Sequence, residues 1–513
     1  MTTIEALPDI ANARVAGTAD PQRWKAYFVL LLAGFMDLLD TTVVNIGFPS
    51  IQRDLGASTA AVQWVVAGYI VAFGLVLITG GRLGDLYGRR RMFLLGVGGF
   101  TLTSALAGLA PTPWTLIAAR VLQGIAAAIM VPQILAIVQT IFPPGERPAA
   151  FGVYGAVTGL AAVAGPLVGG LLVQHNLLGL EWRPIFLVNI PIGLVALVLT
   201  ARVVPESKEI HARRLDLRGV GLLTVSLLLV LYPLVQGHEM GWRWWMSAMM
   251  VASIPAFAWF VHHERELTRA GASPLVPLDL FRERAFAGGL LTSLVFFGGT
   301  GAFFLTLAVT LQLGLGFSPL RAGLAVIPFS IAAAIGSAIS VPAAPRVGRL
   351  VLQAGVATFI VGLGLLAATM HDAGAAVSLR SLVLPLATTG LGMGLVVAPL
   401  VDVILAGVHG RDAGAASGVL NATGQLGQAI GIAAIGALYF AVLGRATPAA
   451  YAQALERTLW GEIAIFAACI GVMFLLPRHG VAAGEESSQS HDDVRSGDRM
   501  NAIIVRRYSE GDR

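Results

Sequence analysis

The stretch FMDLLDTTVVN, Phe35 to Asn45, sets two aspartates inside a run that is otherwise oily. YFVLLLAG precedes it, and more β-branched residues follow. On a helix, Asp37 and Asp40 share one face, because residues three apart are neighbours. What those carboxylates mean depends on what surrounds the helix. Of the 513 residues, 56% are hydrophobic and 12% charged, and the mean hydropathy is +0.77. Water-soluble domains carry roughly 25% charged residues. A soluble fold of this length could not cover its surface with so few charges, so lipid must serve as part of its solvent. An ionised carboxylate held in hydrocarbon is expensive, and such residues mark function by default.

A bilayer-crossing helix needs about 20 mostly apolar residues. Fourteen such windows can be read, from 25–47 to 459–477. Closed β-barrels would show about ten-residue alternating segments instead, so the expected class is an all-α integral membrane fold. With the N-terminus inside, 26 basic residues fall in inner segments and 7 in outer ones, and Arg120 falls inside a span. That bias places both termini in the cytoplasm. It also accounts for the net charge of +5 without a nucleic-acid partner. Arginine outnumbers lysine 32 to 2, as in GC-rich bacterial genomes. A single cysteine, Cys469, argues against disulfides and cysteine-rich metal sites. No metal site is expected; His371 and Asp372 read as isolated outer-loop residues.

The chain also resembles itself. LGAS at 55–58 and LGFS at 315–318 lie 260 residues apart, as do the Gly-Arg pairs at 88–89 and 348–349. AAFGVYGAVTGLAAVAG (149–165) aligns with AASGVLNATGQLGQAIG (415–431), with seven identities. The expected organisation is a cytoplasmic segment at 1–24, a six-helix half at 25–204 and two inserted helices with their linkers at 205–284. A second six-helix half at 285–477 and a disordered cytoplasmic tail at 478–513 complete it. Parallel halves related by an axis along the membrane normal describe a secondary transporter, with its site between them near the midplane.

The loop GGRLGDLYGRRRMF (80–93) sets Gly81, Gly84, Gly88, Asp85, Arg89 and Arg90 at a spacing that membrane anchoring alone does not explain. Its glycines permit a tight turn, and its charges can latch helix ends together. This loop resembles the signature of the major facilitator superfamily. LDTTVVNIGFPSI (39–51) is similar to the first-helix signature of its fourteen-helix drug:proton antiporter branch. LIAARVLQGIAAAIMVP (116–132) resembles the fourth-helix motif with its buried arginine, and GAVTGLAAVAGPLVGG (155–170) the fifth-helix antiporter motif. EWRPIFLVNIPIG (181–193), LQLGLGFSPLRAGLAVIP (311–328) and AGAASGVLNATGQLGQAIG (413–431) extend the likeness over about 25–477. Two departures stand out. Gly47-Phe48 replaces the usual Ala-Leu, and the second-half loop APRVGRL (344–350) lacks the acid, so a latch should be asymmetric. The resemblance implies a multidrug-efflux antiporter of the cytoplasmic membrane that exports small organic compounds, antibiotics included.

Asp40 lies about 15 residues, roughly 22 Å, from the inner end of its span. Arg120, on an oppositely directed span, lies roughly 9 Å below the outer end. The depths coincide, so Arg120 is expected to pair with Asp40 while Asp37 faces a substrate cavity. Desolvation and a nearby arginine act in opposite senses on a carboxyl group, which suits it to proton exchange near physiological pH. Protons would neutralise one or both aspartates, loosen the pair and shift the halves between access states. The bland alternative is a permanent ion pair that orients two helices. Gly155, Gly159, Gly165, Gly169 and Gly170 are expected to allow close packing and Pro166 to kink the fifth helix, a gating role. Asn45, Gln123, Gln133, Gln312, Asn421 and Gln425 are candidate cavity residues. Asp402 is expected to pair with Arg411, His262 and His263 to sit at the inner interface, and Glu462 to reach water.

No phosphate-binding loop is present, so the expected energy source is the proton gradient rather than ATP, with no cofactor. No nucleophile–base–acid constellation indicates an enzyme. Competing readings are a dedicated exporter of one endogenous metabolite and a sensor built on a transporter-like fold.

Overall fold

The structure, a computed structural model, describes residues 22–143, 146–176, 179–208, 215–272, 274–276, 278–405, 413–443 and 447–476. All regular elements among them are helical. Fourteen of these helices are long and apolar enough to cross a membrane. The first five are α1 (Arg23–Asp54), α2 (Thr59–Tyr87), α3 (Arg89–Gly108), α4 (Pro113–Ile141) and α5 (Arg147–Gln174). The sixth span is broken at Val188 into α6 (Pro184–Leu187) and α7 (Asn189–Val203). Then come α8 (Leu217–Met240), α9 (Trp244–Arg269) and α10 (Arg284–Val309), which continues as a π turn over Thr310–Gly314. The last five are α11 (Pro319–Val347), α12 (Arg349–Ala373), α13 (Leu379–Leu405), α14 (Ala413–Leu443) and α15 (Pro448–Val472). The expected tails at 1–21 and 477–513 lie outside the described residues. So do Arg411 and the side chain of Asp402, and with them the pairing expected between the two.

The repeated sequence fragments fold alike, for a local physical reason. Gly56 and Gly316 both take positive φ, 57° and 65°. Ser58 and Ser318 then cap α2 and α11, each accepting from the backbone N–H three residues on, at 3.2 and 3.3 Å. Gly88 and Gly348 likewise reverse the chain at positive φ, 106° and 57°, between α2 and α3 and between α11 and α12.

Packing repeats in the same way. In the first half α1 lies on α5, α2 on α4, and α3 on α4 and α7. In the second α10 lies on α14, α11 on α13, and α12 on α13 and α15. Between halves, α2 meets α14 and α5 meets α11. Of the inserted helices, α8 packs on α9, α2 and α14, so the pair docks over one seam between the halves. One end of the bundle carries Arg23, Arg89–Arg91 and Arg349, and is called the basic face below.

One placement reverses the sequence expectation. Glu462 does not reach water: its side chain is fully buried in α15, and neither carboxyl oxygen has a hydrogen-bond partner among the described residues. It lies 14 residues, roughly 21 Å, from the start of that helix. This is mid-span depth, on a face turned to neighbouring helices.

Candidate functional site

Helix α1 carries both acids of the opening stretch, and three side chains from α4 and α7 converge on Asp40. From α4, Arg120 and Gln123 share one face by their three-residue spacing. Arg120 Nη1 donates to Asp40 Oδ2 and to Gln123 Oε1 at 2.7 Å, while its Nε donates to the Val65 carbonyl of α2 at 3.1 Å. Gln123 Nε2 and Asn189 Nδ2, the latter from α7, donate to Asp40 Oδ1 at 3.0 and 2.7 Å. Both amides also reach Ser104 Oγ of α3, at 2.7 and 3.2 Å. Asp40 is 0% and Arg120 1% exposed. Desolvating two such charges costs several kcal/mol each, and only a well-bonded pair offsets that. Here three donors satisfy the carboxylate, so the network is complete on the acid side.

Tyr69 of α2 joins this sealed pair to the second acid. The Arg120 guanidinium lies 4.2 Å from the Tyr69 ring centroid, a distance at which a cation is attracted to the ring face. The Tyr69 hydroxyl donates to Asp37 Oδ1. Asp37 is only partly buried, and it lines a cavity of about 280 Å³ between the halves. It is the one charged residue on that wall among the described residues. Tyr69, Phe73, Phe304 and Phe329 supply aromatic surface, and Asn45 and Gln425 supply amides.

The remaining candidate cavity residues go elsewhere. Gln123 belongs to the Asp40 network. Gln133 is buried against α2, donating to the Gly80 carbonyl at 2.8 Å. Asn421 points out and donates to the Ser417 carbonyl of its own helix at 3.0 Å. Gln312, in the π turn, bridges the halves instead, its Nε2 donating to the Ile46 carbonyl at 3.0 Å.

The fifth-helix glycines divide by depth. A Cβ at Gly165 would come within 1.8 Å of Thr42 Oγ1 of α1, and one at Gly169 within 3.3 Å of Val43. A Cβ at Gly170 would sit 2.8 Å from the Leu320 Cα of α11. The Pro166 carbonyl similarly leaves no room for a side chain at Gly323. At Gly155 and Gly159, nearer the basic face, a Cβ would meet nothing within 4 Å. Those two therefore do not serve close packing in this conformation. Gly165 and Gly169 thus pack α5 on α1 within the first half, while Gly170 and Gly323, together with Gln312, seal the halves against each other at the face opposite the basic one.

The expected loop shrinks to Gly88 alone: Asp85, in the last turn of α2, pairs with Arg89, the first residue of α3, at 2.9 Å, and Arg89 Nη1 reaches the Ala136 carbonyl of α4 at 3.3 Å. Arg90 donates a side-chain N–H to the Ala201 carbonyl of α7. Gly81 lies beside Pro132 of α4. These bonds gather α2, α3, α4 and α7 within one half. In the second half Arg349 does similar work, donating to the Phe474 and Leu476 carbonyls at 3.1 and 3.0 Å. His263 accepts or donates at 3.0 Å to Asp216, and His371, in the last turn of α12 rather than in a loop, approaches Glu456 at 3.2 Å.

Sequence reasoning missed Tyr69, Ser104, Asn189 and Glu206. The Glu206 carboxylate accepts from the Arg90 and Arg91 N–H groups at 3.1 and 3.2 Å. It is thus a second acid at the start of α3, a favoured place for negative charge. A lone amide in the apolar run FLVNIPIG was the available signal for Asn189. Tyr69 carried no signal beyond being aromatic.

The chain is 42% identical over 437 residues to a probable actinorhodin transporter of Streptomyces coelicolor, covering 85% of this chain and 76% of that one. It is 37% identical to a puromycin resistance protein of Streptomyces alboniger, over 91% and 93% of the two chains. A multidrug resistance protein of Mycobacterium tuberculosis is 33% identical over 92% and 87%. Among solved structures, a bacterial homologue of the human lysosomal transporter Spinster superposes with a TM-score of 0.62 at 16% identity, over 89% and 97%. A bacterial homologue of the human drug peptide transporters gives 0.62 at 15%, over 88% and 98%. Residues 30–432 match the Major Facilitator Superfamily. The chain is therefore a multi-pass membrane protein that belongs to the Major Facilitator Superfamily, among relatives that export or confer resistance to antibiotics.

Proposed function

We propose that the protein is a proton-coupled antiporter that exports amphipathic or cationic organic compounds by alternating access, with its basic face in the cytoplasm. The position of Asp37 carries this reading. It is the one charged group on the cavity wall among the described residues, and Tyr69 links it to the buried Arg120–Asp40 pair. A cationic substrate in the cavity meets an ionised carboxylate and aromatic ring faces, both of which stabilise positive charge. A proton on Asp37 removes the negative charge, so proton and substrate compete for one group.

That exchange reaches the protein interior through Tyr69. Its hydroxyl bonds Asp37 while its ring faces the guanidinium, so neutralising Asp37 alters the surroundings of Arg120. Arg120 and Asp40 tie α1, α2, α4 and α7 together, and a change in their bonding is a change in helix packing. The halves, sealed here on the opposite face, then exchange that seal for one on the basic face. Protons entering from outside and substrate entering from inside use the same carboxylate in turn, and the gradient drives export with no ATP and no cofactor. The relatives named for transport and resistance support the direction and the substrate class.

The test is substrate transport in proteoliposomes under an imposed pH gradient, with and without a protonophore. Wild-type transport should collapse with the protonophore, and Asp37→Asn should not respond to the gradient at all. Gradient-driven transport by both Asp37→Asn and Asp40→Asn at the wild-type rate would reject the assignment. A second reading, a dedicated exporter of one metabolite, is favoured by relatives named for single compounds. Protection against only one member of a compound panel would select it.

A further inference from the structure

The inserted helices carry a cluster that transport leaves unexplained. Asp216 caps the start of α8, accepting from the Gly219 N–H at 2.9 Å. His263 and Glu264 lie near the end of α9, and His263 Nε2 is 3.0 Å from Asp216 Oδ1. Glu264 Oε2 accepts from the Val276 N–H at 2.9 Å. Potential ligand atoms of the three residues all lie within 4.8 Å of one another.

Two oxygens in this cluster are orphaned. Among the described residues, fully buried Glu264 finds no hydrogen-bond donor for its Oε1, and Asp216 Oδ2, on a side chain only 6% exposed, finds none either. Both atoms crowd the same spot, since a Cβ at Gly219 would sit 2.2 Å from Asp216 Oδ2 and 2.6 Å from Glu264 Oε1. Buried carboxyl oxygens normally have partners. The only ion pair either acid makes among the described residues is that with His263. Facing carboxyls of this kind are held together either by a shared proton or by a bound cation.

We propose that Asp216, His263 and Glu264 form a binding site for one divalent transition-metal ion at the basic face. One imidazole and two carboxylates, with a fourth position left to water, suit zinc or manganese. Sequence spacing gave no hint, since 47 positions separate Asp216 from His263. The ion would staple the start of α8 to the end of α9 and to the 274–276 segment. That segment touches the first half, because Arg82 of α2 donates to the Pro274 carbonyl. The staple thus fixes the inserted pair against the helix that begins the latch loop.

The test uses the purified full-length chain, stripped with chelator and titrated with zinc or manganese chloride by equilibrium dialysis and thermal unfolding. One ion per chain and a raised Tm are expected. Glu264→Gln and, independently, His263→Gln should each weaken binding by about tenfold or more. His262→Gln, which alters the neighbouring exposed histidine, should leave binding intact. Two results would overturn the site: no stoichiometric binding, or binding that survives both ligand substitutions. A rise in Tm for Glu264→Gln without any metal effect would do the same, showing that a shared proton holds the carboxyls.

Discussion

The two halves share one helix arrangement but fill their centres differently. The first half buries an ion pair inside a web of amides and hydroxyls. At the 260-residue offset that relates the halves, Asp37 and Asp40 are matched by Phe297 and Thr300, and the Thr300 hydroxyl bonds only its own helix, at the Phe296 carbonyl. Around that position the second half packs rings. Phe296, Phe303, Phe359 and Phe466 have centroids 4.6 to 6.1 Å apart in successive contacts. One fold thus combines a chargeable half with an apolar one that presents aromatic surface to the same cavity. Charge chemistry in one half and shape in the other suffice for a site between them.

The most severe way to break this comparison is Arg120→Ala. It leaves Asp40 buried beside amides alone, and should cost about 3–5 kcal/mol, as removal of one partner from a buried pair does. Thermal unfolding in detergent measures it; an unchanged Tm would mean that the pair is not what holds the first half. Next come paired changes in α5. Gly170→Ala pushes a methyl group into the α11 backbone and should cost about 1–3 kcal/mol through overpacking, with slowed transport. Gly159→Ala meets open space and should leave the Tm near wild type. Equal Tm values for the two would dissolve the distinction between sealed and open ends of that helix.

Glu462→Leu sharpens the contrast from the other side. Its carboxyl has no partner among the described residues and lies one helical turn from Phe466. Replacing it should stabilise the protein by about 1–3 kcal/mol, the usual cost of an unsatisfied buried polar group, and leave coupled transport intact. Loss of coupling in Glu462→Leu would show that the second half carries proton chemistry too. The smallest effect belongs to the half-buried surface pair Arg23–Glu146, at 2.8 Å. The Arg23 guanidinium holds the Glu146 carboxyl below its usual range. Its contribution is therefore present above the ordinary glutamate pKa of about 4.3 and is lost as pH falls through the lower folded value. Glu146→Gln should lower the Tm slightly at pH 7 and not at all in strong acid; a difference that grows on acidification would contradict this.

Much of this was legible before any coordinates. Bilayer thickness and helix rise give depth along a span, and depth alone matched Asp40 to Arg120. The repeat could be read because Gly56-Ala57-Ser58 and Gly316-Phe317-Ser318 encode the same local geometry, a left-handed residue and then a cap. What depth cannot give is rotation about the helix axis. Gln123 and Gln133 have the right depth and the wrong face. Glu462 was expected at water because it lies near the outer end of the span read at 459–477, yet the helix starts earlier, at Pro448, and its face turns inward. Tyr69 stayed hidden because its role depends on two partners from two other helices. Gly155 and Gly159 share the small-residue pattern of Gly165 and Gly169, but a Cβ on either would meet nothing within 4 Å, a difference that spacing along the helix does not encode.

The most direct test of the central claim, that proton and substrate contend for Asp37, is proton release on substrate binding. Purified protein in weak buffer is mixed with a saturating cationic substrate while a pH indicator is followed. The account predicts release of up to about one proton per chain from wild type over the pH range where Asp37 is protonated, by linkage. Asp37→Asn should release none, and Glu462→Gln should release as much as wild type. Undiminished release from Asp37→Asn, or no release from wild type at any pH while substrate binds, would contradict it.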